Sequence, residues 1–278
     1  SPRRGAAASV LLAILLAVGT LPSRAENGTA RLVHAGLITH TPLNEVSGCA
    51  VSRTYPDVIW LHNDSGDSAR LFAIDRAGGL RIPEYLRDRF RSGGPAFYKA
   101  RWPGLAIRGA VHQDWEDVTL AGDRLVIADL GNNGNARRDL GLVFVDEPNP
   151  DAVESTRARA FRPLRYPEQR RFPAAEWHFD SEALFHDPLA DGGRGALYAI
   201  TKHRRAGEIA GLIPGAHLYR VPERGEDLVR VGSDPSLAPV TGADLSPDGR
   251  WLALVRYTAL PFLPRPNAGD DWLPGPPR

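Results

Sequence analysis

The stretch Asp114-Trp115-Glu116-Asp117-Val118, followed by Leu125-Val126-Ile127-Ala128-Asp129 and Gly141-Leu142-Val143-Phe144-Val145, decides the fold. Each segment is a short apolar run, and Gly, Asp and Asn clusters separate the runs, which is the pattern of strands joined by turns. The same three-part pattern stands upstream as Asn44 to Gly48, Val58 to Asp64 and Arg70 to Asp75. It returns downstream as Asp180 to Leu184, Ala196 to Thr201 and His217 to Val221, then as Gly242 to Leu245 and Trp251 to Val255. The acids that open these units, Glu45, Glu116, Glu182 and Asp244, lie about 66 residues apart.

Each unit holds an acid-led strand, an apolar strand, an amphipathic strand and room for a fourth. Four antiparallel strands without a crossover helix form one propeller blade, and successive blades fan around an axis. A sandwich would not repeat the pattern at this period. The expected fold is therefore all-β, a β-propeller of four-stranded antiparallel blades, incomplete at about three and a half blades. Ser246-Pro247-Asp248-Gly249, Ala121-Gly122-Asp123-Arg124 and Asp191-Gly192-Gly193 supply the tight turns. Residues 81–112 and 146–177 are expected to be surface loops or irregular outer strands, and residues 258–278 a Pro-rich irregular tail. Two readings of the shortfall compete. Either the chain is part of a longer protein, the favoured reading, or Ala30 to Thr41 lends an outer strand to the last blade of a small open propeller. An open blade edge would offer a route to self-association.

Composition agrees with a turn-rich globular protein. The 278 residues are 42% hydrophobic, with 28 Gly and 24 Pro. A net charge of +1 gives no field to recruit nucleic acid or an acidic membrane. One cysteine, Cys49, excludes an internal disulfide framework and a Cys-rich zinc site; it is read as a small buried residue on a channel strand. Arg3-Arg4, the uncharged run Ala6 to Leu21 and Ser23-Arg24-Ala25 have the layout of a secretory signal over residues 1–25. Residues 26–278 then form one propeller domain, secreted or periplasmic, with no membrane attachment after cleavage.

The first strand of each blade lines the central channel of a propeller, so Glu45, Glu116, Glu182 and Asp244 are expected to converge there. Carboxylates so placed need a compensating cation, since like charges raise one another's pKa. Calcium takes six to eight oxygen ligands, and Asn63, Asp64 and Asp129 could complete its shell; a solvated or hydrogen-bonded ring of acids is the competing reading. His62 to Asp67 resembles a calcium loop in composition but lacks the closing Glu of an EF-hand, and Asx turns explain it as well. Arg137 and Arg138, after the Asn-rich loop Asp129 to Asn135, and Lys202 with His203, after the third apolar strand, are candidates to receive an anion, with solvated turns and a charged loop as the plainer readings. Trp60 and Trp115 are read as packing between blades, and His112, His178 and His186 as structural. No G-x-S-x-G elbow, Walker loop or dinucleotide fingerprint occurs.

Glu45-Val46-Ser47-Gly48, Asn63-Asp64-Ser65-Gly66-Asp67, Asp114-Trp115-Glu116-Asp117, Ala128 to Asn133, Asp180-Ser181-Glu182-Ala183 and Thr241-Gly242-Ala243-Asp244 together resemble a group of uncharacterised bacterial secreted β-propeller proteins. That group is similar in architecture to calcium-dependent six-bladed propellers of the β-propeller phytase, paraoxonase and gluconolactonase type. The resemblance implies a channel-centred site with these carboxylates and Asn as calcium ligands. The function expected is hydrolysis of an ester, lactone or phosphoester in a small molecule or polymer, with Glu116 or Glu182 as ligand or catalytic base. The alternative is a non-catalytic extracytoplasmic binding propeller.

Overall fold

The computed structural model describes residues 33–90 and 101–273; residues 1–25, read above as a secretory signal, and the last five residues of the tail lie outside them. The strands are β1 (Val46–Val51), β2 (Ile59–Asn63), β3 (Arg70–Ile74), β4 (Leu80–Arg81) and β5 (Leu105–Arg108) in the first blade. β6 (Asp117–Ala121), β7 (Arg124–Asp129), β8 (Gly141–Asp146) and β9 (Ser155–Pro163) form the second. β10 (Ser181–Asp187), β11 (Ala196–Thr201), β12 (Ala216–Arg220) and β13 (Val229–Asp234) form the third, and β14 (Val240–Leu245), β15 (Trp251–Arg256) and β16 (Phe262–Pro264) the fourth. The fold is all-β and propeller-like, and successive strands pair antiparallel within each blade except β4 and β5, which both pair with β3.

Residues 81–112 and 146–177 supply outer strands, one of the two forms expected of them: β5 pairs antiparallel with β3 and parallel with β9, joining the first two blades into one nine-stranded sheet. Three expectations are corrected. The Pro-containing tail begins with a strand, β16, which pairs with β15 through Leu263 and Pro264. Pro is tolerated there because β16 is an edge. The described part of the segment up to Thr41, residues 33–41, lends no strand to the last blade. It lies against the first, where Gly36 and Leu37 crowd the Ala77-Gly78 turn and the His40 ring meets Phe72 edge-on at 5.7 Å. Cys49 is on β1 as expected, but its side chain reaches solvent.

Apolar side chains fill the spaces between blades. Trp60, Trp115, Leu71, Val118, Leu125 and Val143 pack the first against the second. Leu130, Leu142, Tyr166, Leu184 and Tyr219 pack the second against the third, and Phe185, Tyr198, Leu218, Leu252, Leu254 and Trp272 pack the third against the fourth. Each indole nitrogen in the first interface finds a partner: Trp60 donates to Glu147 (2.8 Å) and Trp115 to the Val111 carbonyl (3.1 Å). The turns behave as their residues dictate. Gly122 and Gly249 both take positive φ, and the Gly249 amide closes on the Ser246 carbonyl at 2.7 Å.

At the hub the first strands β1, β6, β10 and β14 pack side by side. Asp117, fully enclosed on β6, ties three of them together. One carboxylate oxygen accepts from its own neighbour Val118 (2.8 Å), and the other accepts from the Leu184 amide on β10 (2.9 Å) and the Ala243 amide on β14 (3.4 Å). On the β1 side only a glycine fits. A Cβ on Gly48 would fall 2.4 Å from His62 Nε2 and 2.7 Å from both Asp117 Cα and Val118 N. Backbone cannot yield as a side-chain tip can, so Gly48→Ala is expected to cost at least about 1–3 kcal/mol of stability. Denaturant unfolding checks this; a variant with the wild-type midpoint would show that β1 and β6 are less tightly apposed.

Candidate functional site

A recurring backbone irregularity positions the site. β1, β10 and β14 each carry a register break near the start: between Val46 and Gly48, between Ser181 and Ala183, and between Val240 and Gly242. In the second blade the matching place is Glu116, whose amide donates to the Ala128 carbonyl (2.9 Å), the residue paired with Asp117. A bulge re-aims the side chain it carries. The equivalent residues are therefore Ser47, Glu116, Glu182 and Thr241. Glu45 and Asp244 are not members of this set.

Around the two bulge glutamates five carboxylates gather. Oxygen atoms of Asp64, Asp114 and Glu116 lie within 4.8 Å of one another, and so do those of Glu116, Asp180 and Glu182. Glu116 belongs to both groups. The two groups differ in charge compensation. Asp180 receives Arg204 Nε at 2.9 Å and the Asn132 amide at 2.7 Å, and Glu182 is ion-paired to Lys202 and reached by Arg204 at 3.4 Å. Asp64 and Asp114 have no such cation among the described residues. Asp64 accepts from the Ser65 amide at 2.5 Å. Asp114 Oδ2 accepts from Asn133 at 3.2 Å, while its Oδ1 is buried with no hydrogen-bond partner.

The electrostatics follow from that arrangement. Burial, then the charges of Asp64, Asp180 and Asp114, push the Glu116 carboxyl well above the usual carboxylate range. Asp114 is also raised, by burial first and then by Asp64 and Asp180. Five acids stand against two cations, Lys202 and Arg204, and the nearby Arg137 is committed to Asp129 at 2.9 Å. Oxygen-only donors, an unpartnered Asp114 oxygen and uncompensated negative charge match the needs of a hard divalent cation. Gly131 keeps the space open: a Cβ there would lie 2.4 Å from both Asp114 Oδ2 and Glu116 Oε1. Those are flexible carboxylate ends, so Gly131→Ala is expected to displace them while leaving the fold. The expected outcome is at least about tenfold weaker calcium binding in calorimetry, with a near-wild-type circular dichroism spectrum.

The other residues singled out in the sequence lie as follows. Asp64, Glu116 and Glu182 are in the cluster. Asp129 adjoins it, accepting from the Asp114 amide at 3.1 Å and pairing with Arg137. Asn63 is buried, but its amide is used by the Pro42 carbonyl and Asp67, both at about 2.8 Å or less, and so supports the loop that presents Asp64. Glu45 enters through its backbone: its carbonyl accepts from the Asp64 amide at 2.8 Å, and its side chain is exposed. Asp244 lies near the far end of β14, where it and Cys49 reach solvent although protein crowds both. That crowding pushes the Asp244 carboxyl up to about 6 and the Cys49 thiol up to about 12.

The anion candidates are occupied differently. Arg137 is held by Asp129, Asp139 and the Gly131 carbonyl, and Arg138 covers the Phe172 ring at 4.1 Å. Lys202 faces Glu182, and His203 is buried between His178 and His217. The loop Asp129 to Asn135 is a buried knot, not a solvated turn. Asn132 and Asn135 bond to Phe179 from both its carbonyl and its amide and so join the second blade to the third. Sequence reasoning left out Asp114 and Asp180 as ligands, Arg204 as the buried partner of Asp180, and Tyr257. The last is 64% exposed beside β15 and feels the charges of Arg204, Glu116, Asp180 and Asp64.

No family model and no curated protein matches the chain. Similar solved structures include a gluconolactonase from Xanthomonas campestris, at 13% identity and TM-score 0.38, over 79% of this chain and 72% of that one. A candidate 6-phosphogluconolactonase from Bacteroides uniformis matches at 10% identity and TM-score 0.34, over 79% and 80%. A chain of the mitotic checkpoint complex matches at 12% identity and TM-score 0.35, over 79% of this chain but only 61% of its own length. Proteins with such different roles at such low identity leave the reaction to be argued from the side chains.

Proposed function

We propose that Asp64, Asp114 and Glu116 hold a calcium ion at the hub, and that the chain is a propeller-type hydrolase of esters, lactones or phosphoesters acting outside the cytoplasm. The observation that carries the reading is the unequal neutralisation of the two carboxylate groups. Lys202 and Arg204 satisfy Asp180 and Glu182, and three carboxylates are left for a cation. A bound cation supplies polarisation of the scissile group and a lowered pKa for coordinated water. Half-buried Asp64 and Asp114 form the open side of the cluster. Glu116 lies deepest, and a cation held there would offset the neighbouring charges that raise its carboxyl and keep it ionised as ligand or base. Glu182 acts through Lys202: it fixes the ammonium group beside Glu116, so it is a positioning residue. The extracytoplasmic placement is supported by the basic head, apolar run and small-residue site of residues 1–25.

The reading is tested by assaying chelator-treated protein against a panel of lactones, carboxylic esters and phosphoesters, with and without calcium. Calcium-dependent turnover of one class is expected. Calcium binding without turnover of any class would assign the cation a structural role and place the chain with non-catalytic binding propellers.

A further inference from the structure

We propose that His178, His203 and His217 form a second cation site, separate from the carboxylates and selective for a borderline transition metal such as zinc. Three of the chain's eight histidines converge here, with ring nitrogens within 4.8 Å of one another. Strand pairing creates the cluster. Trp177 and Arg204 form an antiparallel bridge beyond the end of β11, which sets His178 opposite His203 on one face. His217 on β12 stands opposite Thr201, whose hydroxyl accepts its amide at 2.9 Å, and so lies diagonal to His203 on the same face. Lys202 and Arg204 turn the other way, into the carboxylates. Alternate residues of one short segment thus serve two sites.

Several independent features point to a ligand. His203 is only 5% exposed, and its Nε2 is buried with no hydrogen-bond partner, which is costly for a polar atom. Gly215 makes room for that ring, since a Cβ there would fall 2.3 Å from His203 Nδ1. His217 Nδ1 lies 2.9 Å from the Ser233 hydroxyl, a contact that orients the ring and leaves Nε2 to bind. Burial lowers all three imidazoles, His203 to about 3 and His217 to about 4, and the neutral ring is the ligating form. Three nitrogen donors suit zinc and disfavour calcium. As they stand, the His178 and His203 rings stack at 3.9 Å with 12° between their planes, a geometry in which both cannot aim at one ion. His178 is the ring able to turn: it is half-buried, and its acidic neighbour Glu176 is 3.7 Å away.

The test uses chelator-treated full chain purified without a histidine tag. Zinc binding is measured by calorimetry, and cobalt substitution by visible absorption. One equivalent of zinc and a tetrahedral cobalt band are expected. His203→Ala and His217→Asn should each weaken zinc binding at least about tenfold, and Glu116→Gln should leave it unchanged. The His217 ring is partly exposed, so that variant is expected to fold, and circular dichroism confirms it. The proposal is overturned if the wild type binds no zinc, if His217→Asn binds as tightly, or if Glu116→Gln abolishes binding and so moves the metal to the carboxylates. Zinc binding that survives while calcium binding fails would separate this inference from the calcium reading.

Discussion

Asp117→Ala is expected to be the most destabilising single substitution at the hub, costing about 3–5 kcal/mol and leaving much of the chain unfolded at physiological temperature. Removing the carboxylate orphans the buried amides of Val118, Leu184 and Ala243 together, in three adjoining backbone segments of the second, third and fourth blades. Buried donors left without a partner pay the full desolvation cost, and here three would be left at once. Burial is the larger effect and raises the Asp117 carboxyl well above the usual carboxylate range, against the pull of these three amides. Asp117→Asn keeps one acceptor but turns an NH2 toward a donor, and should fall between alanine and wild type. Denaturant unfolding monitored by tryptophan fluorescence measures both. A loss below about 1 kcal/mol for the alanine variant would mean that apolar packing alone holds the hub.

Glu116→Gln is expected to remove calcium-dependent turnover and to weaken calcium binding at least about tenfold, while stabilising the calcium-free protein at neutral pH. The sign follows from linkage. A carboxyl whose folded pKa is raised contributes stability that is complete below its unfolded value, 4.5 for this glutamate, and is lost as pH rises through the folded value. Wild-type protein in chelator should therefore lose melting temperature relative to Glu116→Gln as pH rises from about 4.5. Each kcal/mol corresponds to roughly 2–4 °C for a chain of this size. Added calcium should cancel the difference, because the cation compensates the charge that glutamine lacks. Calorimetric melts at several pH values check both halves. Parallel pH profiles for the two proteins would show that Glu116 does not ionise against its neighbours.

The blades were legible because strand periodicity and turn residues are local properties: Ser246 to Gly249 and Ala121 to Arg124 close where their Pro and Gly require. Trp60 and Trp115 fill the first blade interface as read. The hub was less legible. Aligning the units by their acids placed Glu45 and Asp244 beside Glu116 and Glu182, but register is set by the bulges, which align Ser47 and Thr241 instead. A slip of a residue or two in a strand changes which face or end a side chain reaches. Asp114 and Asp180 stand in the turns before β6 and β10, where an acid reads as an ordinary turn residue. Only the fan of the blades brings them to Glu116. The histidine cluster is not legible in the sequence, because it is built by cross-strand pairing and the separations of residues 178, 203 and 217 carry no local signature of a metal site. Arg204 reads in sequence as part of a charged loop, since its burial depends on Asp180 from the preceding segment.

Calorimetric titration of chelator-treated protein with calcium, alongside the Glu116→Gln variant, addresses the carboxylate site most directly. The account predicts one equivalent bound by the wild type with a raised melting temperature, and at least about tenfold weaker binding in the variant. No binding heat and no thermal shift in the wild type at millimolar calcium, or equal affinity in the two proteins, would contradict it.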